Sequence, residues 1–255
     1  TSNMTIGTLS ALNGVTLDAD AGSITLTDLQ STNNGAIDLT ASTTIDDTGV
    51  AAAGISNGTG TLSLTSGGVI GGANADGLNL GTVGDITVTG TGGNNVTLTE
   101  AGAMTIDSIA TGGAGVVDLT ATDINDTDDV GDNITTTGSV DLTATTGNIG
   151  NTSTLNINTG TGNDGLILSA TNGTIDVTES TGALNLGDVA ANSNIQITQT
   201  DTGITIDGGN TVTSATGNVT FDTDAMALDG SVTGDNVTIA RYNNGTTIGL
   251  GGGAG

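Results

Sequence analysis

The sequence lacks several residue types on which common protein functions depend. It has no Cys, Pro, His or Trp, one Phe, one Tyr, and a single basic residue, Arg241, among 255 residues. Without Cys, neither disulfide bonds nor thiol chemistry is available. The net charge of −26 argues against nucleic acid and anionic membranes as partners, because one cation does not neutralise many phosphates. No apolar run approaches the roughly 18 residues of a membrane-spanning helix, so we expect no membrane insertion.

The residues that remain are mostly small and polar, with aliphatic residues at regular intervals. Few aromatics and a high charge are typical of disordered chains. Here, however, Val, Ile and Leu alternate with polar residues in segments such as ITLT (Ile24–Thr27), LSLT (Leu62–Thr65) and IQIT (Ile195–Thr198). A period of two places the aliphatic residues on one face of a β-strand. Gly, Asn and Asp separate these segments and tolerate turn conformations, so the pattern predicts many short strands.

One eight-residue phrase occurs three times. GAIDLTAS (Gly35–Ser42) returns as GVVDLTAT (Gly115–Thr122) and as GSVDLTAT (Gly138–Thr145). Repetition of this kind is the mark of a solenoid, in which each turn of the chain reuses the same strand. We interpret the phrase as one side of one coil, used again wherever a coil has the same role.

The sequence also has a second, longer repeat period. GSITLTDL, GAMTIDSI and GALNLGDV begin at Gly22, Gly102 and Gly182, which are 80 residues apart. Such a unit divides into about four coils of about 20 residues, a plausible size for one solenoid turn. We therefore predict a single β-solenoid domain over residues 1–255, with repeat units at approximately 22–101, 102–181 and 182–255, and we interpret the chain as a segment of a larger protein.

The predicted fold is an all-β, parallel β-helix. Each coil is expected to contribute about three short strands, stacked about 4.8 Å from those of the next coil. Inward aliphatic residues form ladders that only neighbouring coils cover, and outward Thr and Asn stack like on like. An antiparallel sandwich would also give short alternating strands, but it does not explain the 80-residue recurrence. Helical structure is disfavoured by frequent Gly and β-branched residues.

The residues also resemble a known family. The phrase Gly-x-[Ile/Val]-Asp-Leu-Thr-Ala, in coils of about 20 residues, resembles the repeats of filamentous-haemagglutinin-type exoproteins and related giant bacterial adhesins. The run VTIARYNNGTTIGLGGGAG (Val237–Gly255) is similar to a segment that recurs in very large surface proteins of that group. The resemblance implies a right-handed parallel β-helix, export from a Gram-negative-type cell, and a rod or fibre at the cell surface. The family's secretion domain and any receptor-binding module have no counterpart in this sequence.

The densest acidic cluster is DINDTDDVGDN (Asp123–Asn133). Its carboxylates are the hard oxygen ligands that calcium prefers, although their spacing does not match an EF-hand loop. The candidate metal ligands are Asp123, Asp126, Asp128 and Asp129. The alternative interpretation is a solvated loop that keeps the surface soluble. No cofactor is required in either case, and calcium is the one ion that the sequence suggests.

Two further features of the sequence are candidates for binding cations. TGTGNDGL (Thr159–Leu166) approaches the calcium-binding nonapeptide of repeats-in-toxin proteins, but no second copy follows at nine residues. Asp118 and Asp141 occupy the same place in their phrases and are expected on adjacent coils, where about 4.8 Å would separate them. Two such charges repel by roughly 0.9 kcal/mol even in bulk water. Calcium would relieve that repulsion, and so would ordinary salt screening.

Other activities find little support in the sequence. Sugar-cleaving enzymes on β-helices use paired carboxylates, yet they also need cationic groups, and only Arg241 is present. Glu100 and Glu179, the two glutamates, are expected in turns after strands. Thr-x-Thr pairs suggest ice binding, but Asp, Ser and Gln interrupt the array. Asn-x-Ser/Thr sequons are frequent and include those at Asn57, Asn95, Asn133, Asn172, Asn218, Asn236 and Asn244.

From the sequence we expect a non-catalytic structural protein at the cell surface. The principal expectation is the stalk of a bacterial surface adhesin, extracellular, with host, cell-surface or matrix components as partners. The alternative is a self-assembling subunit of an extracellular filament or surface lattice, whose partners are other copies of itself. Uncapped solenoid ends favour this alternative, because an open strand edge pairs readily with another chain.

Overall fold

We analysed a computed structural model, which describes residues 2–49, 54–72, 76–127, 130–150, 153–160, 165–243 and 250–251. The chain forms two compact units, Thr1–Thr122 and Asp123–Gly255. The described residues form strands, turns and bends, with no α-helix. Each unit is a parallel β-solenoid, and together they contain about ten coils spaced by about 22 residues.

In the first unit, strands from successive coils form two sheets. The strands are β1 (Met4–Ala11), β2 (Val15–Ala19), β3 (Ile24–Ser31), β4 (Ile37–Ala41), β5 (Ile45–Asp47), β6 (Ile55–Ser56), β7 (Leu62–Ser66), β8 (Leu78–Leu80), β9 (Asp85–Gly90), β10 (Val96–Glu100), β11 (Met104–Ala110) and β12 (Val117–Ala121). Sheet 1A has the order β1-β3-β6-β8-β10-β12, with β5 also paired to β3, and sheet 1B has the order β2-β4-β7-β9-β11.

The second unit repeats this arrangement. Its strands are β13 (Ile124–Asp126), β14 (Ile134–Thr135), β15 (Val140–Ala144), β16 (Leu155–Asn158), β17 (Leu166–Ala170), β18 (Ile175–Glu179), β19 (Ala183–Ala191), β20 (Ile195–Gln199), β21 (Gly203–Ile206), β22 (Thr211–Ser214), β23 (Val219–Asp222), β24 (Met226–Leu228), β25 (Ser231–Thr233), β26 (Val237–Ala240) and β27 (Leu250–Gly251). Sheet 2A has the order β15-β17-β19-β21-β24-β27, with β22 between β19 and β25, and sheet 2B has the order β14-β16-β18-β20-β23-β26.

The strands pair in parallel and in register, as the sequence predicts for a solenoid. In sheet 1B, Ile37 of β4 is opposite Leu62 of β7, and Leu62 is opposite Ile86 of β9. In sheet 2B, Ile195 of β20 is opposite Val219 of β23. These parallel ladders exclude the antiparallel sandwich, because consecutive strands of a sandwich run in opposite directions.

The core of each unit is a stack of aliphatic ladders. Ile24, Ile37 and Leu62 in the first unit have no solvent-exposed surface, and neither do Val219 and Phe221 in the second. The burial pattern of β4 and β7 alternates along the strand, so inward aliphatic residues and outward polar residues are separated as the period of two predicts. Among the described residues the core is therefore mostly Val, Ile, Leu and Ala, with Phe221 as its one aromatic side chain.

The 80-residue period has a different structural meaning from the one we expected. From β3 in sheet 1A to β11 in sheet 1B the chain changes sheet seven times, which is three and a half coils rather than four. A phrase that returns after 80 residues therefore changes sheet, and GAIDLTAS lies in β4 of sheet 1B whereas GVVDLTAT lies in β12 of sheet 1A. Each of these copies forms one strand, and so one side of a coil, as the sequence predicts; the expectation that they have the same role in their coils is wrong, because either sheet accepts the same inward pattern.

Strands β3 and β19, which follow Gly22 and Gly182, share one pairing pattern. Each is a long strand that pairs with two shorter ones in the following coil. Strand β3 pairs with β5 and β6, and β19 pairs with β21 and β22. These coils contribute three strands, as expected, whereas a coil such as that of β2 and β3 contributes two. The prediction of one domain over residues 1–255 stays a prediction.

Candidate functional site

Buried polar side chains mark the corners at which strands of both units end. Among the described residues, eight polar strand-final residues are at most 5% exposed, namely Ser31, Asp47, Ser66, Glu100, Asp126, Glu179, Gln199 and Ser214. Ser66 shows what they do, because its hydroxyl donates to the Thr43 carbonyl at 3.0 Å and accepts from the Gly68 N–H at 3.2 Å. The backbone N–H and C=O groups of a turn that is buried away from water need such partners, because an unpaired buried polar group destabilises the fold. The corners are thus held by internal hydrogen bonds.

Glu100, at the end of β10, is an acid in an apolar corner of the first unit. Its side chain is 3% exposed, and its Oε1 accepts the Val83 N–H at 3.5 Å. Its Oε2 is buried and has no hydrogen-bond partner. Burial raises the pKa of the Glu100 carboxyl from 4.5 to about 8, and the Val83 hydrogen bond opposes the rise only in part. The group is therefore protonated and neutral near pH 7.

Glu179, at the end of β18, repeats this arrangement in the second unit. It is fully buried, and its Oε1 accepts the Thr159 N–H at 3.1 Å and the Thr181 N–H at 3.4 Å. Burial raises its pKa to about 7, the hydrogen bonds from Thr159 and Thr181 oppose that change, and the charge of Asp132 adds to it. Gln199 lies opposite Glu179 in the next coil, so a neutral amide serves at the same corner.

Both glutamates are buried at strand ends, which corrects the expectation from the sequence that they lie in turns. The available signal was the alternation itself. In VTLTE (Val96–Glu100) and IDVTE (Ile175–Glu179) the first, third and fifth residues share a face, so an inward aliphatic residue at the first position implies an inward glutamate at the fifth. In sheet 1B the same position holds Ala41, Ser66 and Gly90 in register, which are the small or polar residues that a tight corner accepts.

Two of the predicted calcium ligands, Asp123 and Asp126, lie in the second unit and accept hydrogen bonds from asparagines. Asp123 Oδ1 accepts the backbone N–H of Asn148 at 2.9 Å. Asp126 is 4% exposed, and its Oδ1 accepts the side-chain amide of Asn133 at 2.6 Å. Asn133 in turn accepts the Asn156 N–H at 2.8 Å. These carboxylates tie the loop to the coils beside it.

The other two predicted ligands, Asp128 and Asp129, lie outside the described residues. The toxin-like segment is likewise described only in part, since residues 161–164 fall outside. Across the described ranges, no group of three or more His, Cys, Asp or Glu side chains is arranged to hold a metal ion. Calcium binding by this loop stays a prediction.

Asp118 lines an open groove on the first unit. The groove has a volume of about 350 Å³ and is formed by Asp76, Asn79, Thr97, Thr99, Asp118 and Thr120. Burial raises the pKa of the Asp118 carboxyl above its usual value. Asp141 belongs to the other unit, so the predicted stacking of these two carboxylates stays a prediction. The groove offers hydroxyl, amide and carboxylate groups to a polar ligand.

The outward face of sheet 1B carries short hydroxyl rows. Thr40, Thr65 and Thr89 lie in register on three successive strands. Their row continues to Asp18 at one end and to Ala110 at the other. This row is therefore short and interrupted, as the sequence predicts.

The sequons differ in accessibility. Asn57 and Asn133 have at most 1% of their surface exposed, so both are inaccessible to a glycosylating enzyme in the folded chain. Asn218 and Asn236 are exposed, and the Asn236 amide donates to Asn218 Oδ1 at 2.8 Å. This pair forms one of the outward asparagine ladders that the sequence predicts.

At two outer strands, aliphatic side chains face the end of a coil stack. In sheet 2B, β26 is the outermost described strand, and its Val237 is 46% exposed although the residue opposite, Val219, is fully buried. In sheet 1B, β2 is the outermost described strand, and its Leu17 is only half-buried whereas Leu39, opposite, is 1% exposed. Each of these two strands has one neighbouring strand among the described residues, which accounts for the exposure of its aliphatic side chains.

In comparisons with protein-family models, curated proteins and solved structures, nothing matches this chain. The described residues include no helix with the length and apolarity needed to cross a membrane.

Proposed function

We propose that this chain is a structural, non-catalytic segment of an extracellular stalk, of the type found in bacterial surface adhesins. The observation that carries the proposal is the in-register stacking of coils, in which Ile37, Leu62 and Ile86 continue one fully buried ladder from coil to coil. Such a fold extends along one axis by adding coils, since each coil contacts only its neighbours. The outward polar face and the net charge of −26 favour a hydrated, extended segment.

Localisation and geometry on the cell test this proposal. An antibody against the folded segment should label intact, unpermeabilised cells, and immuno-electron microscopy should find the label at a constant distance from the cell envelope. An antibody against a cytoplasmic protein serves as the permeability control. Label found only after permeabilisation would contradict the stalk.

A second candidate function is a subunit of an extracellular filament. Parallel coils that stack in register, as Ile37, Leu62 and Ile86 do, can add a coil from another copy in the same way as a coil from the same chain. Negative-stain microscopy of the purified protein distinguishes the candidates, because a filament subunit forms linear polymers and a stalk segment stays single.

A further inference from the structure

We propose that Asn172 is a site of spontaneous chemical modification, at which the Asn172–Gly173 pair converts to aspartate and isoaspartate in the folded chain. Asparagine is a thermolabile residue, and a following glycine has no side chain to hinder its backbone nitrogen. The sequence contains five Asn-Gly pairs, which begin at Asn13, Asn34, Asn57, Asn172 and Asn244. Asn13 lies in the first described coil and Asn244 lies outside the described residues, so the other three pairs are those with coils on both sides.

The reaction needs only water. The backbone nitrogen of Gly173 attacks Cγ of Asn172, and the new N–Cγ bond closes a succinimide ring. The Cγ–Nδ2 bond breaks, and the amide leaves as ammonia with the proton that the Gly173 nitrogen has lost. Water then opens the ring at either carbonyl, which gives aspartate or isoaspartate. No oxidant or reductant takes part.

A mismatch in turn length exposes Asn172 in the middle of the second unit. Ala170 lies opposite Ala191, and Ile175 lies opposite Ile195. Four residues separate the first pair of strands and three separate the second, so the next coil covers this turn incompletely. Asn172 is exposed, and among the described residues its carboxamide makes no hydrogen bond. Coils lie on both sides of the turn, so this exposure does not depend on an outer strand.

The coil before it requires glycine at position 173. A Cβ at Gly173 would clash with the carbonyl of Gly147. The N–H groups of Thr171 and Thr174 donate to the preceding coil at 3.1 and 2.8 Å, whereas the Gly173 N–H donates to no described residue. Gly173 is buried, but the attack needs no external nucleophile, because the reacting carboxamide is on the adjacent residue. The nitrogen is therefore available while both ends of the turn are fixed.

The pair Asn34–Gly35 is held at both reacting groups. The Gly35 N–H donates to Ser31 Oγ at 3.1 Å, and Asn34 Oδ1 accepts the Thr59 N–H at 3.2 Å. The first bond must break before the nitrogen can attack, and one such bond slows the reaction about tenfold. Asn34 should therefore deamidate more slowly than Asn172.

The pair Asn57–Gly58 is held in a similar way and is also shielded from water. The Gly58 N–H donates to the Thr82 carbonyl at 3.0 Å, and the Asn57 amide donates to the Thr61 carbonyl at 2.8 Å. Asn57 has no exposed surface, so water does not reach the ring that would form there. Asn57 should be the most stable of the three.

Modification would change how the turn meets the next coil. The product adds a carboxylate to a chain that already carries −26, and isoaspartate lengthens the backbone between β17 and β18 by one carbon atom. The Ser193 N–H donates to the Gly173 carbonyl at 3.0 Å. Both changes therefore act on a hydrogen bond that joins two coils.

The test is peptide mapping by mass spectrometry after incubation of the purified, unglycosylated chain at physiological pH and temperature. We expect deamidation at Asn172 to be at least about tenfold faster than at Asn34 or Asn57. An isoaspartyl methyltransferase should methylate the peptide that contains Asn172. Asn172→Gln should remove that methylation, because the longer side chain closes its ring more slowly. The chain unfolded in urea is the control, since without the fold the three pairs should react at similar rates.

Equal rates at the three asparagines of the folded chain would overturn the proposal. So would an Asn172 that stays intact while the unfolded chain deamidates. Aspartate without isoaspartate at Asn172 would also overturn it, because direct hydrolysis of the side chain gives aspartate alone. Labelling of intact cells tests the stalk separately, so the two proposals can fail independently.

Discussion

The buried carboxyl of Glu100 predicts an unusual dependence of stability on pH. In the folded chain its pKa is about 8, whereas the ordinary value is 4.5. Between these values the unfolded chain releases a proton that the folded chain keeps. The free energy of unfolding should therefore fall as pH rises from 4.5 to about 8, and this contribution should be constant outside that window. The substitution Glu100→Gln removes the ionisation while preserving the shape of the side chain.

The pKa difference sets the size of the effect. At about 1.4 kcal/mol per pH unit, the change from 4.5 to about 8 corresponds to at most about 5 kcal/mol. Penetrating water and local relaxation would reduce that value, so a measured effect of about 2–5 kcal/mol fits the structure. Glu179 makes a second contribution of the same sign, which lowers the free energy of unfolding between pH 4.5 and about 7 by at most about 3 kcal/mol. Glu100→Gln should thus gain stability over the unmodified chain steadily from pH 4.5 to 8.

Urea unfolding followed by circular dichroism, repeated at several pH values, measures this difference. The matched control is Asp38→Asn, which removes a carboxylate from an exposed position of β4 and should follow the pH dependence of the unmodified chain closely. The control is needed because general repulsion among the acidic residues also weakens the fold as pH rises. If the free energies of Glu100→Gln and the unmodified chain ran parallel from pH 4 to pH 9, the carboxyl would not be buried as described.

Three further predictions concern the ladders, the corners and calcium. Leu62→Ala should lower the free energy of unfolding in urea by about 2–5 kcal/mol, because Leu62 is fully buried. Ser63→Ala, on the outward side of the same strand, should change it little, and equal losses would contradict the inward ladder. Gly147→Ala should lower the free energy of unfolding by about 1–3 kcal/mol, because a Cβ there would clash with Asp123 Oδ1. Gly208→Ala, where a Cβ meets nothing within 4 Å, is the control for that variant. Millimolar calcium should raise the melting temperature by binding to the acidic loop. Identical melting curves in calcium and in chelator at fixed ionic strength would contradict calcium binding.

Much of the fold follows from the sequence because the alternation is regular. Ile24, Ile37 and Leu62 were predicted to face inward and are fully buried. The sheet to which a repeated phrase belongs was not predictable from its spacing, since the distance from Gly22 to Gly102 fits four coils of 20 residues as well as three and a half of about 23. The lengths of the loops between strands decide how many coils the 80 residues form, and these lengths vary from coil to coil.

The chemistry of the candidate site follows from the sequence less directly than the fold does. The acidic loop is the densest group of carboxylates in the sequence, yet in the structure Asp123 and Asp126 accept hydrogen bonds from asparagines. Among the described residues, the acids whose pKa values are raised most, Glu100 and Glu179, have no acidic neighbours in the sequence. Their pKa values depend on burial, which comes from the coils above and below them rather than from residues nearby in the chain.

The parallel, in-register stacking of coils is tested most directly by engineered disulfide bonds, because the chain contains no cysteine of its own. Asp38 lies opposite Ser63, and Ser63 lies opposite Thr87. Adjacent parallel strands are about 4.8 Å apart, within disulfide reach, whereas two coils are about 9.6 Å apart and outside it. The double variant Asp38→Cys/Ser63→Cys should form its disulfide bond rapidly and raise stability, and Asp38→Cys/Thr87→Cys should remain reduced. Efficient bonding of the second pair, or failure of the first, would contradict the solenoid.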